Sequence, residues 1–340
     1  VAAVALLVMI AAPRYSESVQ RARVAAANSD LGIHGDPYEY ADSELRRPAI
    51  PLEAKEGLRL LYSGEPERAI ELFRKVQQAQ PGHPLGYLLE TNALWWTLYC
   101  EACEIKWNLI DAWKRGKLPE DAQYFALADK GIALAEAQLK ARETAEMHFY
   151  AGMGWALRAR LNGLRDERMA LARAGVKARE HLLRAIELDP NYDDAYTGVG
   201  LYNYYSDALS AFAKFLRFFL FIPGGSKKEG MRQLERGMRG ELTGVEAQFY
   251  LAKCLRNYDQ NYARGIELMQ PLAARFPRNP LFHLLLGDLY AKLARNPQAA
   301  ASFRAAQHIE VANSKCEARV RSVAETAMRA LGVPANTTGK

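Results

Sequence analysis

Apolar and small residues along this chain recur at intervals of three and four, the spacing that gathers them on one face of a helix. The recurrence comes in paired blocks. Glu53 to Pro81 reads EAKEGLRLLYSGEPERAIELFRKVQQAQP, with Gly57, Ala69, Phe73 and Pro81 separated by 12, 4 and 8 positions. His283 to Phe303 reads HLLLGDLYAKLARNPQAAASF, where Gly287, Ala299 and Phe303 repeat the intervals of 12 and 4, with Tyr290 between. Tyr196 to Tyr204 (YTGVGLYNY) repeats the first half of a block around Gly200, and second halves close at Pro190 (KAREHLLRAIELDP) and Pro277 (GIELMQPLAARFP). Each block predicts two helices joined by a short turn. A small residue at Gly57, Gly200 or Gly287 lets the pair approach closely, Ala69 and Ala299 do the same from the second helix, and Phe73 and Phe303 fill the groove. A proline just past the second helix stops it, because the ring lacks an N–H and clashes with the preceding turn. Pro66 suits a first-turn position, and Ser226-Lys-Lys-Glu229 has capping-box spacing. No segment alternates with period two between turn dipeptides, so no sheet is expected.

These offsets resemble the tetratricopeptide repeat, over most of residues 53–310. The resemblance implies an all-α fold: an α-solenoid of antiparallel helix pairs. The pairs depart from strict spacing in two places. Between Gly200 and Gly230 the chain carries an insertion of roughly 18 residues relative to the family period. Leu85 to Gly163 forms a larger irregular block of long helical patterns. The segment GVGLYNYYSDALSAFAKFLRFFLFIPGG, followed by KKEGMRQLERG, is similar to a bacterial branch of tetratricopeptide proteins and distantly to the inclusion-body-clearance proteins. The expected organisation is an apolar targeting or anchor helix and arm over 1–30, a linker over 31–50, the solenoid over 51–332 and a loose tail over 333–340.

Apolar residues make up 49% of the 340 positions and charged ones 25%, which fits a folded solenoid rather than a disordered chain. The net charge of +6 is uneven: from Arg158 to Arg184, eight Lys or Arg face only Asp166, Glu167 and Glu180. That run is read as a solvated Arg-rich helix face, with contact to phosphates or anionic lipid as its alternative. Four cysteines (Cys100, Cys103, Cys254, Cys316) are too few for a disulfide framework in a chain this long. Cys100-Glu-Ala-Cys103 has redox spacing, but it is expected inside one long apolar helix with Trp96, Tyr99, Cys103, Trp107 and Ile110 along a single seam. Four of the five tryptophans, from Trp95 to Trp113, either weld neighbouring helices or line an aromatic pocket.

Motifs for catalysis fail one by one. The histidines (His34, His83, His148, His181, His283, His308) show neither HExxH nor close spacing, and no Ser-centred elbow or GxxxxGK loop is present. Gly224-Gly225-Ser226 reads as a turn and N-cap, with an anion site as the rarer use of such a sequence. No enzyme activity, metal or cofactor is expected. Ala211 to Ile222 reads AFAKFLRFFLFI, apolar on every side but for Lys214 and Arg217, and needs cover from its own fold, a partner or lipid.

Val1 to Ala12 is uninterruptedly apolar, too short to span a bilayer but of the length found in targeting segments. VAAVALLVMIAAPRYSESVQRARVAAANSDL resembles the N-terminal helix of type IV pilins and pseudopilins, with Pro13, Tyr15 and Arg21/Arg23 in matching places. A signal peptide is the rival reading, and the true start of the chain is expected upstream of Val1. Either reading implies export, to the periplasm or the membrane. The leading functional expectation is an exported or membrane-tethered scaffold for a protein or peptide partner, with no nucleic acid. A hydrophobic-ligand carrier and a pilin-like subunit displaying the repeats are the alternatives. Candidate binding residues are Tyr204, Tyr205, Phe218, Asp288 and Lys292, on the first-helix patterns around Gly200 and Gly287 and in the Phe-rich segment.

Overall fold

The computed structural model describes residues 49–106, 109–208 and 222–332. They belong to one compact unit, Ala49–Lys340. The expected targeting helix, most of the linker, Trp107, Phe218 with nearly all of the Phe-rich segment, and the tail lie outside the described residues.

The elements run in chain order as α1 (Leu52–Tyr62), α2 (Pro66–Ala79), α3 (Leu85–Ala102), β1 (Cys103–Lys106), β2 (Leu109–Ala112), α4 (Asp121–Ala141), α5 (Ala145–Leu164), α6 (Arg168–Leu188), α7 (Asp193–Ala208), α8 (Lys227–Gly237), α9 (Gly244–Cys254, continued by a π turn Leu255–Asp259), α10 (Tyr262–Arg275), α11 (Pro280–Lys292), α12 (Asn296–His308) and α13 (Ser314–Ala330). Successive helices pack as α1/α2, α3/α4, α5/α6, α7/α8, α9/α10 and α11/α12, and α13 packs on α12. This is the tetratricopeptide-like solenoid expected.

The helix boundaries follow the local signals. Pro66 opens α2, and the Ser226 hydroxyl accepts from the Glu229 N–H at the start of α8. Thr144, Asn261, Asn279 and Asn313 cap α5, α10, α11 and α13 with side-chain oxygens. Pro81, Pro190 and Pro277 each fall just past the end of a second helix.

The small residues sit at helix crossings. A Cβ at Gly200 would stand 2.9 Å from the Gly230 carbonyl oxygen, so the α7 and α8 backbones meet there directly. A Cβ at Gly287 would stand 2.8 Å from the Phe303 ring. Gly287→Leu should therefore destabilise the protein by about 1–3 kcal/mol through overpacking. An unchanged urea midpoint would show that Phe303 can swing away and that the α11/α12 crossing is not tight.

Two expectations are corrected. A short sheet exists: β1 and β2 pair antiparallel, with Cys103 opposite Ala112 and Ile105 opposite Ile110. The apolar seam predicted to continue as one helix past Cys103 instead leaves the helix at Ala102. Tertiary partners select the extended form. Asn257 of the π turn exchanges both side-chain hydrogen bonds with the Ile110 backbone, at 3.1 and 3.0 Å, and Lys253 holds Asp111 at 2.8 Å. The second correction concerns the cysteines. Cys100 is joined to Cys316, 216 positions away, with Cα atoms 5.2 Å apart. The bond ties α3 to α13, and Cys103 and Cys254 remain buried free thiols.

Candidate functional site

A solenoid's usual recognition surface is the inner wall formed by the first helices of each pair. Here that wall is packed against itself. Tyr62 of α1, Trp96 and Tyr99 of α3, Phe249 of α9, Phe276 at the end of α10 and Phe282 of α11 form one cluster, with ring centroids 5.2–6.3 Å apart. Several polar atoms are matched across the centre, although the buried Tyr62 hydroxyl has no hydrogen-bond partner among the described residues. The Trp95 indole donates to the Tyr250 hydroxyl at 2.9 Å, the Trp96 indole donates to Glu246 at 2.8 Å, and the Asn279 amide donates to the Tyr62 carbonyl at 2.9 Å. Residues 150 to 217 positions apart are thereby brought into contact, and the helix pairs bend round to meet one another. The turn at Gly64 (φ +84°) shows how close that meeting is, since a Cβ there would stand 2.6 Å from the Arg278 carbonyl.

Charged side chains are buried in this centre in pairs, and sequence reading missed them. Arg160 spans Glu246 and Asn92, at 2.5 Å to one Glu246 oxygen and 3.1 Å to the Asn92 carbonyl oxygen. Burial works against the Arg160 charge, but Glu246 more than restores it and raises the guanidinium pKa. Arg165 clamps Asp121 with two bonds of 2.8 and 2.6 Å. Arg256, fully buried, is held by Asp288, with one bond at 2.9 Å. Lys253 lies over the Tyr99 and Tyr250 rings, at 5.3 and 5.0 Å, while bonded to Asp111. Burial opposes its charge too, yet Asp111 with Tyr205 and Tyr99 carries its pKa well above the ordinary lysine value. Arg160 and Arg165 thus leave the Arg158–Arg184 run and serve the interior, so the reading of that run as one solvated face is only partly right. The signal for these pairs was a charge set inside an apolar window, as in AKCLRNY around Arg256 and LLLGDLY around Asp288.

The expected binding residues divide accordingly. Tyr204 is buried, its hydroxyl donating to the Cys254 carbonyl at 3.1 Å and to Asp259, which Lys227 also contacts. Tyr205 is half-buried, edge-on to Tyr204 and Tyr258. The structure brings Tyr204, Tyr205 and Asp288 together around the π turn, but through interior contacts. Lys292 is exposed on the last turn of α11.

The two free thiols are not poised for redox chemistry. Burial pushes the Cys103 and Cys254 thiols up to about 12 each, which leaves them protonated and poorly nucleophilic. No group of three or more His, Cys, Asp or Glu is placed to hold a metal. The cavity lined by Tyr99, Cys103, Phe249, Lys253 and Leu285 has a volume of about 10 Å³. The cavity by Leu61, Trp96, Cys100, Pro280 and Cys316 has about 30 Å³. A water fits in either; a lipid does not.

Outside the centre, one surface gathers unlike residues. The loop after β2 carries Lys114, Arg115 and Lys117, all exposed, and folds against the α5–α6 turn. Arg165 donates to the Lys114 carbonyl at 2.8 Å, and Arg115 and Lys117 lie 3.7 Å from Asp166 and Glu167. Trp113 stands under Lys106, 5.6 Å from the ring. Beside the turn, α6 exposes Arg168, Met169, Leu171, Arg173 and Lys177, with Met169 49% and Leu171 39% exposed. Basic groups outnumber Glu120, Asp166 and Glu167 there, and two large apolar side chains lie among them.

Comparison with known proteins gives a family. The profile described as "RMD1-3: Regulator of microtubule dynamics protein 1-3" matches residues 61–278, from the end of α1 to the turn before α11. The chain belongs to this family. No curated protein matches it closely enough to add a relative. Among solved structures, MamA is similar with 16% identity and a TM-score of 0.36 over 57% of this chain and 94% of its own. The C-terminal part of a TPR repeat-containing protein from Cytophaga hutchinsonii follows with 13% identity and 0.35 over 75% and 78%. Yeast Tom70 gives 10% identity and 0.27 over 83% and 90%. Superpositions this loose carry no inference about activity or shape. Helix-pair architecture in this regulator-of-microtubule-dynamics family member is read from its own packing. The pilin-like segment at its N-terminus lies outside the described residues. No described helix is long and apolar enough to cross a membrane.

Proposed function

We propose that the protein is a non-catalytic interaction scaffold that takes a protein partner on its outer surface, at the basic loop 113–117 and the start of α6. The observation that carries this reading is the filled inner wall: with Trp96, Phe249 and Phe282 packed across the centre, no groove is left there for a peptide. The exposed Met169 and Leu171, on the same stretch of α6 as Arg168, Arg173 and Lys177, suit an acidic partner that also offers apolar contacts. The family description names regulators, proteins defined by what they do to other proteins, which is in line with a docking surface. The two cavities beside Tyr99 and Trp96, among the described residues, hold about 10 and 30 Å³ and give the carrier reading no support there.

Export stays part of the proposal. A disulfide persists in oxidising compartments, and Cys100–Cys316 fits such a location better than the cytosol. The apolar run Val1–Ala12 points the same way.

The test is crosslinking in intact cells with the triple variant Lys114→Glu, Arg115→Glu, Lys117→Glu. All three side chains are solvent-exposed, and losing the 3.7 Å pairs of Arg115 and Lys117 with Asp166 and Glu167 should cost no more than about 1 kcal/mol each, so the chain should stay folded. The crosslinked partner should fall to background, and the remaining association should lose its salt dependence. Full partner recovery by the triple variant would move the docking surface elsewhere.

A further inference from the structure

His148 and His181 lie 33 positions apart, on α5 and α6, and the helix pair brings their Nδ1 atoms to 3.0 Å. Their rings are tilted by 42°, with centroids 5.2 Å apart. The hydrogen positions at this contact follow from the neighbours. Glu143 accepts from Arg184 at 2.8 and 2.9 Å through its two oxygens, and His148 Nε2 lies 3.0 Å from one of the same oxygens. A carboxylate so clamped is ionised and can only accept. The proton of neutral His148 is therefore on Nε2, which leaves its Nδ1 an unprotonated donor atom beside His181 Nδ1.

We propose that the two Nδ1 atoms form a divalent transition-metal site, with Glu143 as the carboxylate that orients His148. Two nitrogens about 2.0–2.1 Å from a shared ion and 3.0 Å apart subtend an angle of roughly 91–97° at it. That is nearer the right angle of tetragonal Cu²⁺ or Ni²⁺ than the wider angle of tetrahedral zinc, and Cu²⁺ is the ion such a nitrogen pair takes most tightly. The Glu143–His148 bond reproduces the carboxylate–histidine arrangement that fixes tautomer and ring orientation in metal proteins. With no third His, Cys, Asp or Glu in place among the described residues, water fills the remaining positions. Lys177, one helical turn before His181, opposes a cation, and Glu136 of α4 favours one. His181 is half-buried and His148 keeps 14% of its side chain exposed, so an ion can enter from solvent. Bound there, it would pin α5 to α6 beside the proposed docking surface. The metal-free alternative is a single proton on His181 Nδ1 donated to His148.

Titration of the metal-free full chain with CuCl₂, followed by calorimetry and electron paramagnetic resonance, separates the two. One Cu²⁺ per chain with hyperfine coupling to two nitrogens is expected, and the melting temperature should rise with added copper. His148→Gln and His181→Gln should each remove this site, and Glu143→Gln should weaken it about 10–100-fold. His283→Gln with His308→Gln should leave it unchanged, which controls for surface histidines. The proposal is overturned if the parent takes up no copper, or if the His148→Gln, His181→Gln double variant binds it as the parent does.

Discussion

Glu246→Ala should be the most damaging single substitution at the centre of the fold, lowering stability by about 3–5 kcal/mol. The carboxylate is 3% exposed and serves two donors at once, the Arg160 guanidinium and the Trp96 indole N–H. Removing it strands an arginine that the interior holds ionised, together with an unpaired indole N–H, and leaves a void. A domain of ordinary stability, about 5–15 kcal/mol, would lose a large part of its margin. The cause can be separated from simple loss of volume. Glu246→Leu combined with Arg160→Met replaces the pair by apolar groups of similar size and should recover most of the loss, because burying an ion pair costs nearly what it returns. Urea unfolding read by tryptophan fluorescence measures all three proteins. A single variant within 1 kcal/mol of the parent would mean that water reaches Arg160 and that the inner wall is looser than its packing indicates.

How far this centre could be read beforehand depends on the distance over which each signal acts. Gly57 against Phe73 and Gly287 against Phe303 lie within one helix pair, so their fixed offsets sufficed to place them. Caps at Ser226 and stops at Pro81, Pro190 and Pro277 are local in the same way. The charged pairs span 32 to 142 positions, and the disulfide spans 216. Their meeting depends on the small rotation from each helix pair to the next, summed over the whole array, and periodicity says nothing about that sum. The hairpin was hidden for a related reason. CEIK and LIDA are too short to show alternation, and what holds them extended is Asn257 and Lys253 from α9 and its π turn. The docking surface was half legible. Basic residues from Arg158 to Arg184 marked the right helices, but only the fold divides them into Arg160 and Arg165 facing inward and Arg168, Arg173 and Lys177 facing out.

Breaking the Cys100–Cys316 bond should cost a comparable amount by a different route. Closing a loop with a sequence separation of 216 removes unfolded-chain entropy worth about 5 kcal/mol in the chain-entropy treatment, with native disulfides typically giving roughly 2–5. The folded state also has a reason to need the bond. α13 follows the last described helix pair, and its buried Cys316, Val320, Val323, Ala324 and Met328 belong to a helix that packs on α12, α3, α11 and β1. The Asn313–Glu101 contact of 2.9 Å is the nearest polar support for that seam. Cys316→Ser, or reduction of the parent, should therefore lower the urea midpoint by an amount equivalent to about 2–5 kcal/mol, with faster amide exchange in α13 than elsewhere. Cys103→Ser supplies the control: this thiol takes no part in the bond, so the variant should keep the shifted electrophoretic mobility of the oxidised chain. The protein must be purified without reductant. If mass spectrometry of that material finds Cys100 and Cys316 both free, or if reduction leaves the midpoint where it was, then α13 is held by packing alone. An oxidising location for the protein would then lose the support of this disulfide.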